Sequence, residues 1–518
     1  MIESARDVAA GSAIDTDLCI IGGGPAGIAL ALEFAGAATR VCLLESGGLN
    51  LDIETQDLNS GASMGWPYWP LAASRVRFLG GTTNHWGGVS LPLNPEDFQK
   101  RPWVENSGWP LGYADLSAYY QKAQALLGLE NTFDKFYQRA TDQFDPVWNE
   151  DAIATRLSRR AKKSRFGLEY RSALEQASNI RVLLHANATE AALDDAKQNI
   201  HSLGVACLNG PEFQVRSKVF VLATGGIENA RFLLSADPSG AGIGNSNDLV
   251  GRYFSDHPYF SNLAKLQIFD PSLNLETYTR TNSLAGDAVS MHLELSPETK
   301  AVNQLLAARL HITKVRWRAF GNDRGKPSPK LTDRVIQRVQ RAFGASTDPS
   351  ASRSDQPEDY GASAETRLFT VGAWKEVIPR FDSRVTLGEQ RDPLGIPRPV
   401  LDWKIGQQEK LSLIKTLETF GRQISANGQG RIRIDLDDES PWPWEGGYEP
   451  GLHQMGTTRM SASAQQGVVD ANCKMHEVDN LFVAGSSVFP TYGVANPTMT
   501  ILALTLRLAD HLKRQRSL

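Results

Sequence analysis

The sequence predicts an α/β fold whose parallel sheet is gathered from three distant stretches of the chain. Three observations predict it. Residues 17–21 form a short, mostly apolar run, followed by Gly22-Gly23-Gly24-Pro25-Ala26-Gly27, a helical pattern through Ile28, Leu30, Ala31 and Phe34, and a second apolar run over 41–44 that ends on Glu45. Residues 218–226 read as a buried strand ending in Ala-Thr-Gly-Gly, with a helix from Ile227 to Leu234 behind it. Residues 480–487 repeat the pattern, a buried strand opening on small residues.

The first stretch reads strand, turn, helix, strand, acid. Gly22 lets the chain turn tightly, Gly24 lets backbone approach a pyrophosphate, and Gly27 lets helix and strand pack closely. Phosphates then rest at a helix N-terminus. Glu45, at the end of the second strand, is placed to accept hydrogen bonds from an adenosine ribose. The competing reading is a glycine-rich turn of purely structural use. Only one such fingerprint occurs, so the chain lacks the paired FAD and NAD modules of a flavin reductase fed by a nicotinamide. The two later strands favour FAD, because two-segment FAD folds reuse such a return strand.

Bulk properties bound the reading further. A chain of 518 residues, 41% hydrophobic and 22% charged, can bury a large core and divides into two or more lobes. A net charge of −4 gives no reason to expect nucleic acid as the main partner. Cys19, Cys42, Cys207 and Cys473 are scattered singly, without the spacing of thiolate metal or iron–sulfur sites, so no metal is expected; Cys19 and Cys42 read as small core residues. Residues 1–15 carry mixed charge and no apolar leader, and no run reaches the roughly 18 apolar residues of a membrane helix. The expectation is a cytoplasmic protein without a membrane span.

The chain resembles the glucose-methanol-choline (GMC) oxidoreductases at the N-terminal fingerprint, at Gly80-Gly-Thr-Thr-Asn-His-Trp-Gly-Gly88, at residues 248–258 ending in Asp256-His257-Pro258, at residues 376–387, and from His453 onward. Its Asn84-His85-Trp86 is similar to the pyranose oxidases and bacterial sugar dehydrogenases, and it lacks the mid-chain cysteine cluster of the iron–sulfur members. The resemblance implies a GMC fold: a discontinuous Rossmann-like FAD-binding domain plus a substrate domain of antiparallel sheet covered by helices. The implied spans are 10–93, 175–259 and 441–518 for FAD and 94–174 and 260–440 for substrate. Strand patterns at 288–295 and 384–387 fall in the last of these, and an aromatic run, Trp103 to Tyr120, in the one before it. The implied activity is oxidation of an alcohol CH–OH of a sugar or glycoside by hydride transfer to flavin. A secondary alcohol of a specialised metabolite is the alternative substrate, and a non-catalytic flavin protein the alternative function. The electron acceptor is left open between oxygen, a quinone and a redox protein.

Removing the hydroxyl proton as hydride leaves carbon requires a base, and histidine, with an ordinary pKa near 6.5, suits neutral pH. His453 lies in a glycine-bounded loop and matches the family's base; Asn496 matches its partner and is expected to orient the substrate oxygen. Asn496 also reads as the N-cap, and Pro497 as the first residue, of a long apolar helix whose N-terminus favours negative charge on the flavin. Gly81, Thr82, Asn84, His85, Trp86, Ala188, Thr224, Gly485, Ser486, Pro497 and Thr498 complete the expected cofactor contacts. By resemblance, His85 either bonds covalently to the flavin 8α carbon or packs beside the ring. His257 and His476 are read as structural.

One stretch departs from the average. Residues 314–343 hold nine Lys and Arg against two Asp, and read as a solvated helix or as a docking face for an acidic partner or membrane surface. A Ser-, Asp- and Pro-rich loop is expected over 346–363.

Overall fold

Leu18–Ile21 is buried on both faces, which a strand tolerates only at the centre of a sheet covered by helices on each side. In the computed structural model, which describes residues 1–130, 133–144, 146–148, 152–315 and 367–515, it is such a strand. It pairs in parallel with Val41–Glu45 on one side and Val219–Leu222 on the other. Ile180–Leu184 and then Ile2–Ser4 extend one edge, and Leu481–Val483 closes the other, giving a six-stranded parallel sheet. The edge strand Ile2–Ser4 lies ahead of the span read from sequence as flavin-binding.

Helix Pro25–Glu33 follows the central strand directly, with Pro25 in its first turn, where a missing N–H costs nothing. Helix Thr498–Lys513 packs against it and against Tyr113–Leu126, so the last helix is held over the first glycine turn. A four-stranded sheet of Ala13–Asp15, Glu212–Arg216, Ile200–Ala206 and Asn187–Leu193 flanks this layer.

The second large sheet is antiparallel, in the order Gly430–Ile434, Pro258–Ile268, Leu368–Lys375, Ala308–Lys314, Asp287–Leu295, Ile153–Arg160 and Val89–Ser90. The period-2 alternation of Asp287–Leu295 sends Leu293 to one face and His292 and Glu294 to the other. Arg156 stands opposite His292, and Arg309 opposite Trp374, so a polar stripe crosses several strands on one face. The strand pattern at 384–387 does not join this sheet. Arg384–Arg391 pairs with Pro397–Trp403, which pairs with Ala62–Gly65, and this small sheet rests on helix Glu228–Ser235. The pattern marks a half-buried strand correctly but carries no information on its partner.

Of the basic stretch, residue Lys314 ends a strand with its side chain exposed, while 316–366, with the expected loop, lie outside the described residues. All four cysteines are buried as free thiols, and among the described residues no group of His, Cys, Asp and Glu is arranged to hold a metal ion. No described helix is long and apolar enough to cross a membrane.

Candidate active site

A cavity of about 450 Å³ runs between the two sheets. At one end lie Gly22, Gly24, Glu45 and Ala188; at the other lie His453, Asn496, Pro497 and Thr498, with Gly81, Thr82, His85, Trp86, Thr224 and Ser486 along the walls. Three expected residues stand behind this lining. Gly27 packs so tightly on the strand that a Cβ there would overlap the Gly22 carbonyl oxygen. Asn84 turns inward to donate to the Leu79 carbonyl at 3.0 Å, and Gly485 shapes the turn after the last strand at φ +117°. All three shape the cavity wall from behind its lining.

The glycine turn has the form a dinucleotide needs. Gly22 sits at φ +109°, and a Cβ on it would come within 2.6 Å of the Ala223 carbonyl. Gly24, at the helix N-terminus, faces open space: a Cβ there would meet nothing within 4 Å. Glu45 spans the turn, its two carboxylate oxygens each accepting an amide N–H at 2.8 Å, from Gly23 and Gly47. Burial raises its pKa, and those two amide bonds oppose the rise. The Gly80-Gly81 loop is pinned to the same turn, with Gly80 N–H donating to the Gly23 carbonyl at 2.8 Å. The loop thereby sets Thr82, His85 and Trp86 along the wall, and the Trp86 indole is anchored on the Ser164 carbonyl at 2.7 Å. An open cradle beside a helix N-terminus, with a carboxylate one strand away, fits the pyrophosphate and ribose of FAD.

At the far end a chain of hydrogen bonds fixes the protonation of His453. The His257 Nε2 lies 2.9 Å from the Gly493 carbonyl, and its Nδ1 lies 3.0 Å from His453 Nδ1. His453 Nε2 lies 3.2 Å from Asn496 Nδ2, and Asn496 Oδ1 accepts from Arg309 Nη1 at 3.0 Å. A carbonyl only accepts, so His257 carries its proton on Nε2 and its Nδ1 is bare; the proton between the two rings belongs to His453 Nδ1. From the other end, a guanidinium only donates, so Arg309 holds the amide oxygen and leaves the Asn496 NH2 facing His453. Both ends give one answer, a neutral His453 with its lone pair on Nε2, at the cavity.

Burial, then the neighbouring His257 and the Arg309 cation, hold the His453 pKa well below the ordinary histidine value. Burial and Arg309 likewise push His257 down to about 3, so the pair stays neutral at physiological pH. Asp256 fastens the two histidine loops together: its Oδ1 accepts the backbone N–H groups of His257 and His453 at 2.6 and 2.7 Å, and its Oδ2 accepts from Tyr68 OH at 2.7 Å. Trp374 stands beside the base, ring centroids 5.8 Å apart, and lines the cavity.

One reading from sequence is extended here and one is corrected. His257, read as structural, is the direct hydrogen-bond partner of His453. Asn496 is not the N-cap of the last helix, which begins at Thr498 with Pro497 at the cap and no side-chain cap bond; the Asn496 amide is spent on His453 and Arg309 instead. Asp256 and His257 lay in a quoted motif, so a signal for them existed. Arg309 and Trp374 lie on antiparallel strands with no local motif, and only strand register brings them to the site. His476, as expected, has a structural contact, to the Ser461 carbonyl.

Residues 379–505 match the C-terminal model of the GMC oxidoreductases. Over 98% of its length the chain is 24% identical to the 2-methyl-1,2-propanediol dehydrogenase of Mycolicibacterium austroafricanum, across 96% of that protein. Over 84% it is 24% identical to the fructose dehydrogenase large subunit of Gluconobacter japonicus, across 80% of that subunit. Among solved structures it is similar in fold to a formate oxidase, with a TM-score of 0.55 and 16% identity, covering 98% of this chain and 99% of that one. By this model over its C-terminal part and by these relatives over most of its length, the chain is similar to the glucose-methanol-choline oxidoreductases. It is an FAD-dependent enzyme acting on the CH–OH group of an alcohol.

Proposed function

We propose that this enzyme oxidises a CH–OH group of a sugar or glycoside, with His453 as the base and Asn496 as the donor that orients the substrate oxygen. The observation that carries the reading is the bare Nε2 of His453 beside the Asn496 NH2 at the cavity. A hydroxyl inserted between them donates its proton to Nε2 while its oxygen accepts from Nδ2. Bound FAD supplies the hydride acceptor. Gly22, Gly24 and Glu45 would hold its adenosine and pyrophosphate, and the N-terminus of helix Thr498–Lys513, with its unpaired N–H groups, favours negative charge at the opposite end of the cavity.

A sugar is favoured by the broad Trp374 face beside the base, which offers apolar cover to the C–H side of a ring, and by the likeness to a fructose dehydrogenase subunit. The likeness to a propanediol dehydrogenase favours a second reading, a small non-sugar alcohol. A non-catalytic flavin protein would have no use for a neutral base held at the cavity. Anaerobic mixing with D-fructose, other free hexoses, alkyl glycosides and 2-methyl-1,2-propanediol, watching the flavin band, tests all three. Bleaching by hexoses or glycosides is expected; bleaching by the diol alone sinks the sugar reading, and bleaching by none sinks the enzyme reading. Reoxidation of the bleached protein by oxygen, a quinone or a redox protein then identifies the acceptor.

His85 lines the same cavity, on the loop pinned to the glycine turn, and would be the residue to bond the flavin 8α carbon, as the family resemblance implies. Acid precipitation is expected to leave yellow colour on the protein, and His85→Ala to release it. Colour that moves wholly into the supernatant of the wild type excludes the bond.

A further inference from the structure

Arg309 is 3% exposed, and among the described residues it forms no ion pair. Its guanidinium donates from Nη1 to Asn496 Oδ1, its Nε is buried without a partner, and its plane stands 5.9 Å from the Trp374 ring centroid. The carboxylate nearest in its surroundings, Glu294, is engaged with His292 at 3.4 Å. Burying a cation without a carboxylate is costly, and the fold gains little from it that an apolar residue would not supply. Its one strong contact is therefore informative.

An asparagine amide has two ends of nearly equal size and opposite hydrogen-bonding sense. If the amide at 496 were reversed, its oxygen would face both His453 Nε2 and the incoming hydroxyl oxygen, and three acceptors would crowd one point. The substrate hydroxyl would then give its proton to the amide oxygen and not to the base. Nothing in His453 prevents this, because its Nε2 accepts from any donor. Arg309, which can only donate, prevents it.

We propose that Arg309 is a positioning residue of the oxidation: it pins the Asn496 amide with its NH2 toward His453 Nε2, so that the substrate hydroxyl is received in the one orientation that hands its proton to the base. This rests on the assignment of His453 as base. The same cation opposes protonation of His453, as do burial and His257; of the other groups around the site, Arg156 on the sheet acts in the same sense, the carboxylates of Asp256 and Glu294 act in the opposite one, and burial keeps His292 and His311 neutral.

The two effects have separate readouts, plateau rate for the donor and titration midpoint for the charge, in two variants of the full-length, FAD-loaded protein. Arg309→Lys keeps a charged terminal donor on a side chain of nearly the same reach; Arg309→Met keeps much of the bulk and loses donor and charge. Rates of flavin reduction are measured across pH with the alcohol that bleaches the wild type, alongside its dissociation constant. Protonation of His453 is followed by 15N NMR of histidine-labelled protein, assigned by loss of the signal in His453→Ala. The His453 midpoint should rise in Arg309→Met and stay near wild type in Arg309→Lys. The high-pH plateau rate should fall about 10²-fold in Arg309→Met, as misplaced reacting groups do, with binding nearly unchanged, and should stay within about threefold of wild type in Arg309→Lys, whose donor is retained.

A folded, flavin-replete Arg309→Met enzyme with the wild-type plateau overturns the proposal. If Arg309→Met does not retain flavin, Arg309→Lys decides alone, and a loss of more than about tenfold at its plateau overturns it, since the donor on Asn496 is kept. A His453→Ala enzyme reduced at the wild-type rate would instead remove the base assignment, a failure that is distinct because it needs no Arg309 variant.

Discussion

His453→Ala is expected to keep FAD bound and to slow flavin reduction by the alcohol about 10²- to 10⁴-fold, the contribution of a positioned base. The loop should survive the substitution. It is held by the backbone N–H of residue 453 on Asp256, a bond the side chain does not make, and by the Asp256 contact to Tyr68 on the other side. What the variant loses is the bare Nε2. In the wild type the base must be unprotonated, so the rate falls as pH drops through its folded pKa. Burial, His257 and Arg309 all depress that pKa, so the acid limb should lie below the ordinary histidine range and the rate should be flat through neutrality. Asn496→Ala should also slow reduction but keep an acid limb, because the amide orients the hydroxyl and does not accept its proton. Stopped-flow reduction across pH reads both results. A His453→Ala protein with full FAD content and unchanged melting temperature that is reduced at the wild-type rate, acid limb intact, would move the base role to another residue.

The parallel half of the fold was legible because its chemistry is local. The tight turn at Gly22, the close packing at Gly27 and the acid at Glu45 must follow one another along the chain to build a phosphate cradle, so their spacing is itself the signal. The His453 loop and the 496–498 turn were legible through family likeness. The bond between His257 and His453 was not: 196 residues separate them, and the histidine of Asp256-His257-Pro258 looks the same in sequence whether it packs or positions. Strand partners were not legible either, since alternation at 384–387 reports a half-buried strand and is silent on which sheet receives it. Arg309 was invisible for both reasons together. It sits in a strand with no motif, and its meaning comes from Trp374 across the ladder and from an amide contributed by a segment 187 residues further along the chain.

The sharpest test of the cofactor end contrasts two glycines three residues apart. A Cβ at Gly27 would overlap the Gly22 carbonyl oxygen, a backbone atom that cannot move without opening the turn or parting helix Pro25–Glu33 from the central strand. Gly27→Ala should therefore destabilise the apoprotein by about 1–3 kcal/mol or more, the cost of overpacking, and abolish FAD retention as well, since the turn it distorts is the cradle. Gly24 differs. Its φ of −77° suits any residue, and its missing Cβ would meet no protein atom within 4 Å, only the cavity. Gly24→Ala should leave the apoprotein's stability within about 0.5 kcal/mol of wild type, as substitutions away from packed contacts do, yet it places a methyl where the pyrophosphate has to approach the helix N-terminus. Both variants are compared by flavin-to-protein absorbance after purification, by FAD titration of the apoprotein, and by chemical denaturation without FAD. The expected pattern is loss of flavin in both with loss of apoprotein stability in Gly27→Ala only. A Gly24→Ala protein that purifies with full FAD and wild-type affinity would place the phosphates elsewhere in the cavity, while a destabilised Gly24→Ala apoprotein would mean that the space beside this glycine is not open.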